Sequence, residues 1–362
     1  MRIDTLSVTD FRNFHSLHAS FSPDINIFYG RNGAGKTNLL EALFVLCLGR
    51  SQRAATDMLL VRTGSDVYRL EGTVHTENGT QTLAVAYQKG GRKKITIDDV
   101  AVRIAELYER SAVVSAGPED SAILSGPPSV RRNFIDIYLS QLSGRYLRDL
   151  IDYQKVLAQR NAALKKEMDP SPFEPLLIQV GSRIIKRRIT FITILQELIS
   201  THYREISGGE QVRVQYQPSV PIEDRDAGED EIETAFQLKL DDRFVRERAV
   251  QTSLVGPHRD ELYFEINDLP ARTHGSQGQW RTAAISLKLA MYDLLREERG
   301  TAPVLLLDEI FAELDSRRVM GLIDAFGDFS QLFLTTAAEP PEKLKARARS
   351  FRIHDGDIED IA

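Results

Sequence analysis

The sequence predicts a mixed α/β protein with an antiparallel β subdomain and an inserted α-helical hairpin lobe. Three observations predict it. The apolar strand Ile25-Asn26-Ile27-Phe28-Tyr29 runs into a glycine-rich turn and then an apolar helix. Short strand-like segments between Tyr68 and Ile97 are separated by turn residues. From Ser129 to about Glu205, apolar residues recur at three- and four-residue steps, the spacing of amphipathic helices.

The glycine turn reads Gly30-Arg31-Asn32-Gly33-Ala34-Gly35-Lys36-Thr37, and the helix after it carries Leu39, Leu40, Ala42, Leu43 and Leu46. Strand, G-x-x-x-x-G-K-[ST] and helix together form a phosphate-binding P-loop in its required context. Gly33 and Gly35 let backbone N–H groups curl round phosphates where a Cβ would interfere. The helix begins with free N–H groups and the positive end of its dipole toward the same anion. Lys36 is expected to reach the β/γ oxygens, and the Thr37 hydroxyl to ligate Mg²⁺. The alternative is a glycine-rich β–α turn that holds nothing; the full pattern with both flanks favours nucleotide binding.

A chain of 362 residues suggests about two domains and buries a sizeable core. Its 42% hydrophobic and 27% charged content is that of a soluble globular protein. The one cysteine, Cys47, excludes an internal disulfide and a cysteine-based zinc site; on an apolar helix it reads as a small buried hydrophobe. Met1-Arg2-Ile3-Asp4 opens no long apolar core, and no stretch approaches membrane-span length, so a cytosolic protein without a membrane partner is expected. With a net charge of −6, binding to nucleic acid has to rest on local basic patches.

In chain order, Arg2 to Val8 reads as a first strand, followed by Phe11-Arg12-Asn13-Phe14 and a second strand toward Phe21. The two aromatics either close a hairpin over the core or bring Arg12 near a nucleotide. Gly49 and the basic residues after it close the P-loop helix. Strands are expected at Tyr68–His75, Thr82–Gln88 and Lys93–Ile97, with Glu77-Asn78-Gly79 as the hairpin turn between the first two. A second turn, Gly90-Gly91-Arg92-Lys93-Lys94, offers three cations, either a solvated tip or a phosphate contact. Val113 to Gly117 reads as a buried strand ending at Pro118-Glu119-Asp120.

Phe134, Tyr138, Leu142, Tyr146, Leu150, Tyr153, Leu157 and Leu164 predict one long helix. Asp169-Pro170-Ser171-Pro172 breaks it. A second helix follows, with Leu177, Val180, Ile184, Phe191, Leu195 and Leu198 on one stripe. The pair forms an antiparallel hairpin too short for an extended coiled-coil arm. Arg131, Arg132, Arg183, Lys186, Arg187 and Arg188 give it a basic face, either solvated or in contact with DNA. The expected partition is 1–125 and 208–362 for the nucleotide domain, with 126–207 as the inserted lobe. An acidic stretch, Glu223 to Glu233, leads into a helix ending in Arg243, Arg246 and Arg248, a distribution that matches its dipole.

Pro303-Val304-Leu305-Leu306-Leu307 reads as a buried parallel strand delivering Asp308 and Glu309 at its carboxyl end, where α/β folds bind ligands. Asp308 would hold Mg²⁺, and Glu309 would polarise the attacking water. Upstream, His274-Gly275-Ser276-Gln277-Gly278-Gln279 opens another helix, a second prepared anion site. One nucleotide needs one such site. An explanation is a dimer in which each protomer's Ser276 caps the γ-phosphate held by the other's P-loop.

The P-loop, Ser276-Gln277-Gly278-Gln279, Asp308-Glu309 and Glu313-Leu314-Asp315 run in the order of the ABC-type ATPases. They resemble the Walker A, signature, Walker B and D-loop of that class, a layout shared by SMC head domains. Phe11-Arg12-Asn13-Phe14, Arg131-Arg132-Asn133-Phe134-Ile135-Asp136 and Val255-Gly256-Pro257-His258-Arg259-Asp260-Glu261 further resemble the bacterial RecF family of recombination mediators, over essentially the whole chain. The resemblance implies an ABC-type P-loop ATPase head using ATP and Mg²⁺. It implies an ATP-dependent homodimer acting in DNA repair, recombination and replication. Such a dimer would bind double-stranded DNA at single-strand/double-strand junctions, working with RecR and RecO to load RecA. Arg12, Asn13, Glu119, Asp315, His258 and Arg259 become candidate accessory residues. Arg92, Lys93, Lys94, Arg131, Arg132, Arg187 and Arg188 become candidate DNA contacts.

The signature here is SQGQ, where transporters carry LSGGQ. Thr336-Ala337-Ala338 has no histidine after the strand Gln331–Thr335, and Pro118-Glu119-Asp120 stands in place of a glutamine loop. The missing histidine favours a slow switch. A transporter ATPase subunit predicts a membrane partner, which the long basic hairpin argues against. A small-molecule kinase would need neither Ser276 nor a dimer.

Overall fold

The computed structural model describes residues 1–76, 79–309, 331–340, 342–354 and 356–361. The chain divides into two compact units, Met1–Glu119 with Met291–Ala362, and Asp120–Ala290.

In the first unit, one sheet holds strands in the order Asp357–Asp360, Ala348–His354, Ile25–Tyr29, Gln331–Thr336, Val304–Leu307 and Val113–Ala116. All neighbours pair parallel except the first two, which are antiparallel. Val304–Leu307 and Gln331–Thr336 are buried along their whole length, which is what continuous apolar runs require of a sheet covered on both faces. Gln331, polar yet fully buried, is satisfied: it accepts the Ile3 N–H and donates to the Ile3 and Ser22 carbonyls. Phe21, Phe28, Phe333 and Phe351 stack and edge against one another beside it.

A second, antiparallel sheet runs Phe14–Ser20, Thr5–Phe11, Val67–Thr76, Gly79–Gln88, Lys94–Ile97 and Val100–Ala101, with Arg2–Ile3 pairing on the same edge of Val67–Thr76 as Thr5–Phe11. Its strands alternate: Tyr68, Leu70, Gly72 and Val74 are buried between more exposed neighbours. Of the expected Glu77-Asn78-Gly79 turn, Glu77 and Asn78 lie outside the described residues. The flanking strands pair in register from Thr76↔Gly79 to Val67↔Gln88. The P-loop helix, Lys36–Leu48, packs on both sheets and is therefore buried nearly all round. It ends at Gly49 in the left-handed conformation, whose N–H returns to the Val45 carbonyl.

The second unit corrects three expectations. First, the helix expected from Phe134 to Leu164 is two helices, Pro128–Leu142 and Gly144–Lys165. Ser143 has extended backbone, and its hydroxyl accepts the Tyr146 N–H, ending one helix and capping the next. The stripe continues because both helices bury the same kind of face. The proline turn does separate Gly144–Lys165 from Glu174–Ser207, and these two pack together.

Second, the lobe is not 126–207 but Asp120–Ala290. Strand Val212–Gln217 lies on helix Glu174–Ser207 and pairs with Glu261–Ile266. Helix Glu229–Val250 packs against both helices of the hairpin. Val212, Val214, Ile232, Phe236, Leu240 and Phe264 are thus buried within the lobe.

Third, the basic face is largely internal. Arg188 is 1% exposed, donating to Asp136, Tyr146, the Pro257 carbonyl and Asp260. Arg131 is 3% exposed and grips Glu261 with both Nε and Nη2, at 2.6 and 2.8 Å. Arg183 pairs with Asp149, and Arg132 donates to the Asp260 carbonyl. A buried charge is tolerated only when paired and hydrogen-bonded, and the two buried ones, Arg131 and Arg188, are both. Arg187 is exposed.

The Gly256-Pro257-His258-Arg259-Asp260 stretch supports this network. A Cβ on Gly256 (φ +121°) would lie 2.3 Å from the Tyr153 hydroxyl. Asp260 is buried, accepting from Arg188, Tyr216 and the Ser219 N–H. His258 and Arg259 both donate to the Ser253 carbonyl. The accessory role expected of His258 and Arg259 is replaced by a packing role in the lobe. Burial lowers the His258 pKa to about 4, keeping the ring neutral with Nδ1 accepting from Tyr153. Since the folded pKa lies below the ordinary 6.5, the unfolded chain binds more protons between these values. The contribution is complete above pH 6.5 and lost as the pH falls toward 4. Urea unfolding should therefore show wild type losing on the order of 3 kcal/mol more than His258→Gln across that window.

Candidate nucleotide site

Strand Ile25–Tyr29 carries the chain to Gly30, whose φ is +155° and where a Cβ would meet the Ile353 carbonyl oxygen at 2.3 Å. Gly35 has φ +115°, with no space for a Cβ beside the Asn13 side chain. Only glycine fits either position. Arg31, Asn32 and Gly33 are exposed, whereas Ala34, Gly35 and Lys36 are buried. The Lys36 ammonium donates to the carbonyls of Gly30 and Arg31, at 2.8 and 3.2 Å, and lies 2.9 Å from the Glu309 carboxylate.

Glu309 comes to this place through the sheet. Gln331–Thr336 lies between the P-loop strand and Val304–Leu307, with Leu334 opposite Leu307 and Thr335 opposite Phe28. Asp308 and Thr335 therefore meet at the carboxyl ends of adjacent strands. Asp308 Oδ1 accepts from the hydroxyls of Thr37 at 3.0 Å and Thr335 at 2.6 Å. Burial raises its carboxyl above the usual range against those two hydrogen bonds, and the neighbouring Glu309 charge raises it further. Lys36, Thr37, Asn38, Arg53, Pro118 and Glu309 share the lining of an open cavity of about 480 Å³.

Of the two readings left open by the sequence for the stretch carrying Arg12 and Asn13, the structure follows the hairpin over the core. Phe11 and Phe14 are fully buried. Asn13 donates to the Ala34 carbonyl and accepts from Asn38, bracing the glycine turn. Arg12 does not face the cavity; it forms a two-point ion pair with Glu41 on the P-loop helix, at 2.8 and 2.9 Å. Glu119, at the glutamine-loop position, clasps Arg53 through both carboxylate oxygens.

Arg53, Glu41 with Ser51, and Thr335 escaped the sequence reading. Glu41 and Ser51 form an internal bond at 2.6 Å, and the Ser51 hydroxyl in turn accepts the N–H groups of Arg53 and Ala54. The signal for Glu41 was a carboxylate inside an otherwise apolar helix, and for Thr335 a hydroxyl ending an apolar strand.

Ser276–Gln279 and the remaining candidates belong elsewhere. Ser276 lies in the second unit, exposed, as the cap of helix Gln277–Arg299. Its hydroxyl accepts the Gln279 N–H, while the Gln279 side chain accepts the Ser276 N–H and donates to Glu210. This is a reciprocal capping box. Gln277 and Gly278 are exposed on the same turn. Asp315, with Glu313 and Leu314, lies outside the described residues. Arg92 and Lys94 are exposed at the strand tip, whereas Lys93 pairs with Asp57 at 2.8 Å. Arg131 and Arg188 are withdrawn as DNA contacts by their burial in ion pairs.

The glycine turn on a parallel sheet, the acid pair on the neighbouring strand system and the antiparallel sheet on the same helix define the class, a P-loop head of the ABC and SMC type. Residues 2–353 match the family described as RecF/RecN/SMC N terminal domain. The DNA replication and repair protein RecF of Halalkalibacterium halodurans is 37% identical over 345 residues, covering 93% of this chain and 92% of that protein. RecF of Lysinibacillus sphaericus is 35% identical over 370 residues, 99% of this chain and 100% of its own. A solved structure of the recombination mediator protein RecF-ATP in the RecFOR pathway matches with a TM-score of 0.92 at 30% identity, covering 100% of this chain and 98% of that one. The chain belongs to the RecF family.

The Arg12–Glu41 pair makes a direct prediction. Glu41 is 4% exposed, so Arg12→Met leaves a buried carboxylate that has lost its two-point ion pair and keeps the Ser51 hydroxyl. Denaturant unfolding should register a loss of about 3 kcal/mol, and Arg12→Met with Glu41→Leu should recover most of it.

Proposed function

We propose that this chain is an ATP-dependent DNA-binding protein of recombinational repair and replication, with slow ATP hydrolysis as its switch. The observation that carries the reading is the convergence of Lys36, Thr37 and Glu309 on one cavity, with Asp308 bonded to Thr37. Phosphates bind in the glycine turn, and Lys36 exchanges Glu309 for β/γ oxygens. That exchange leaves the Glu309 carboxylate to orient water and accept its proton. Thr37 and Asp308 fit Mg²⁺, which takes few protein oxygens beside phosphate and water. An ion held there by Thr37 and Asp308 would supply charge neutralisation for the phosphates. Support for ATP as the nucleotide comes from the similar RecF structure described with ATP.

Ser276 at a second helix N-terminus supports an ATP-dependent homodimer in which the γ-phosphate is shared between protomers. Such a dimer acts on double-stranded DNA at single-strand/double-strand junctions, through exposed cations such as Arg92, Lys94 and Arg187. It works with RecR and RecO to help load RecA at gaps, in keeping with the RecFOR pathway to which the similar structure is assigned.

Two experiments test the reading. In a DNA-stimulated ATPase assay, Lys36→Ala should lose ATP binding. Glu309→Gln should keep binding while turnover falls by about 10²-fold or more, for want of a proton acceptor. Equal turnover in Glu309→Gln and wild type would exclude Glu309 as the catalytic carboxylate.

Light scattering with ATP and with ADP tests the dimer. ATP should drive dimerisation and ADP should not, since only the third phosphate reaches the other protomer. Ser276→Arg should bind ATP yet remain monomeric. Ser276→Ala, which removes the same cap at about 1 kcal/mol without filling the space, should still dimerise. Normal ATP-dependent dimerisation of Ser276→Arg would sink the sandwich.

A further inference from the structure

Glu309 has φ +48°, in the left-handed region that an ordinary side chain enters only when its surroundings hold it there. What holds it is a hydroxyl. The Glu309 N–H donates to Thr335 Oγ1 at 2.8 Å, and the same hydroxyl donates to Asp308 Oδ1 at 2.6 Å. An amide N–H can only donate, so Thr335 accepts from Glu309; an ionised carboxylate can only accept, so toward the Asp308 carboxylate the same hydroxyl gives its proton. Thr335 is 0% exposed, so no water competes for either bond. Its neighbour Thr336 turns to the backbone of Ala338 and takes no part.

We infer that Thr335 is a positioning residue for ATP hydrolysis, fixing the backbone from which Glu309 presents its carboxylate; this rests on the proposed ATPase reading. Thr335 stands on the strand between the P-loop strand and the acid strand, in register with both. From there one hydroxyl ties the carboxylate bonded to Thr37 to the backbone of the carboxylate paired with Lys36. Replacing it by valine preserves shape and burial but leaves the Glu309 N–H without its acceptor. Asp308 keeps Thr37. The strain at Glu309 is then no longer balanced, and its carboxylate leaves its position at the mouth of the glycine turn. A displacement near 1 Å is enough to lower turnover by about 10²-fold without equal loss of substrate binding.

A residue that merely filled the core would accept valine readily, because an apolar group of the same shape packs as well or better there. The test uses the full-length protein and the variants Thr335→Val and Thr335→Ser. ATP turnover of Thr335→Val should fall by about 30- to 100-fold with KM changed less than about threefold, and Thr335→Ser should return it to within about threefold of wild type. In a Glu309→Gln background, Thr335→Val should add less than about threefold, because it acts through Glu309. Equal activity of the valine and serine variants, or an undiminished effect in the Glu309→Gln background, would overturn the inference.

A second measurement does not depend on hydrolysis. Amide hydrogen exchange at Glu309 should be at least about tenfold faster in Thr335→Val than in wild type, and near wild type in Thr335→Ser. Unchanged exchange in the valine variant would also overturn the inference. A wild-type protein that hydrolyses no ATP would overturn the ATPase reading and the catalytic half of this one, while exchange still decides whether Thr335 holds Glu309.

Discussion

The hydrogen bond between Thr37 and Asp308 joins residues 271 positions apart, and the site exists only because the sheet brings them together. Thr37 begins the helix after the P-loop strand, and Asp308 ends a different strand. A third strand, Gln331–Thr336, lies between them and has to be in register for either to be useful. A parallel sheet with both faces buried specifies that register through side-chain packing, here the phenylalanines around Phe28 and Phe333. The polar groups at the carboxyl ends then converge as a consequence of strand alignment. Gln331, at the opposite end of the central strand, anchors it to Ile3 and Ser22.

Around that alignment the first unit builds a brace of paired charges. Arg12 secures Glu41, Glu41 secures Ser51, and Ser51 organises the backbone that carries Arg53 into the cavity. Asn13 supports the glycine turn from the other side. None of these residues needs to touch a nucleotide to matter. Each removes freedom from a group that lines the cavity or the glycine turn, which is how a site on a turn acquires the precision of the sheet beneath it.

The second unit uses charge differently. Its arginines are spent on internal cohesion: Arg160 meets Glu174 and the buried Glu247, and Arg188 ties Asp136 to Asp260. Unpairing any of these would strand a charge in an apolar interior, so the network resists single changes and rewards the intact set. The stretch Gly256 to Asp260, one of those that carry the family resemblance, is the corner on which that network turns.

The P-loop, the acid pair on its buried strand, the alternating antiparallel strands and the proline-broken helices were all legible in the sequence. Each is a local signal: glycine spacing, period-two or period-3.6 hydrophobicity, or a residue that cannot continue a helix. The break at Ser143 was hidden, because both helices bury the same kind of stripe. The lobe's extension to Ala290 was hidden because strand partners lie far apart in the chain. The fate of the arginines shows the limit most clearly. Arg188 stands four residues from both Ile184 and Ile192, on the stripe that faces inward, yet a cation there is readable as surface until Asp136 and Asp260 are seen to meet it. Thr335 is equally ordinary in sequence. Local chemistry thus determined which elements form and which anion they suit. Only tertiary structure decided which charges are hidden and which hydroxyl holds Glu309, because desolvation and hydrogen bonding depend on neighbours that the chain order does not reveal.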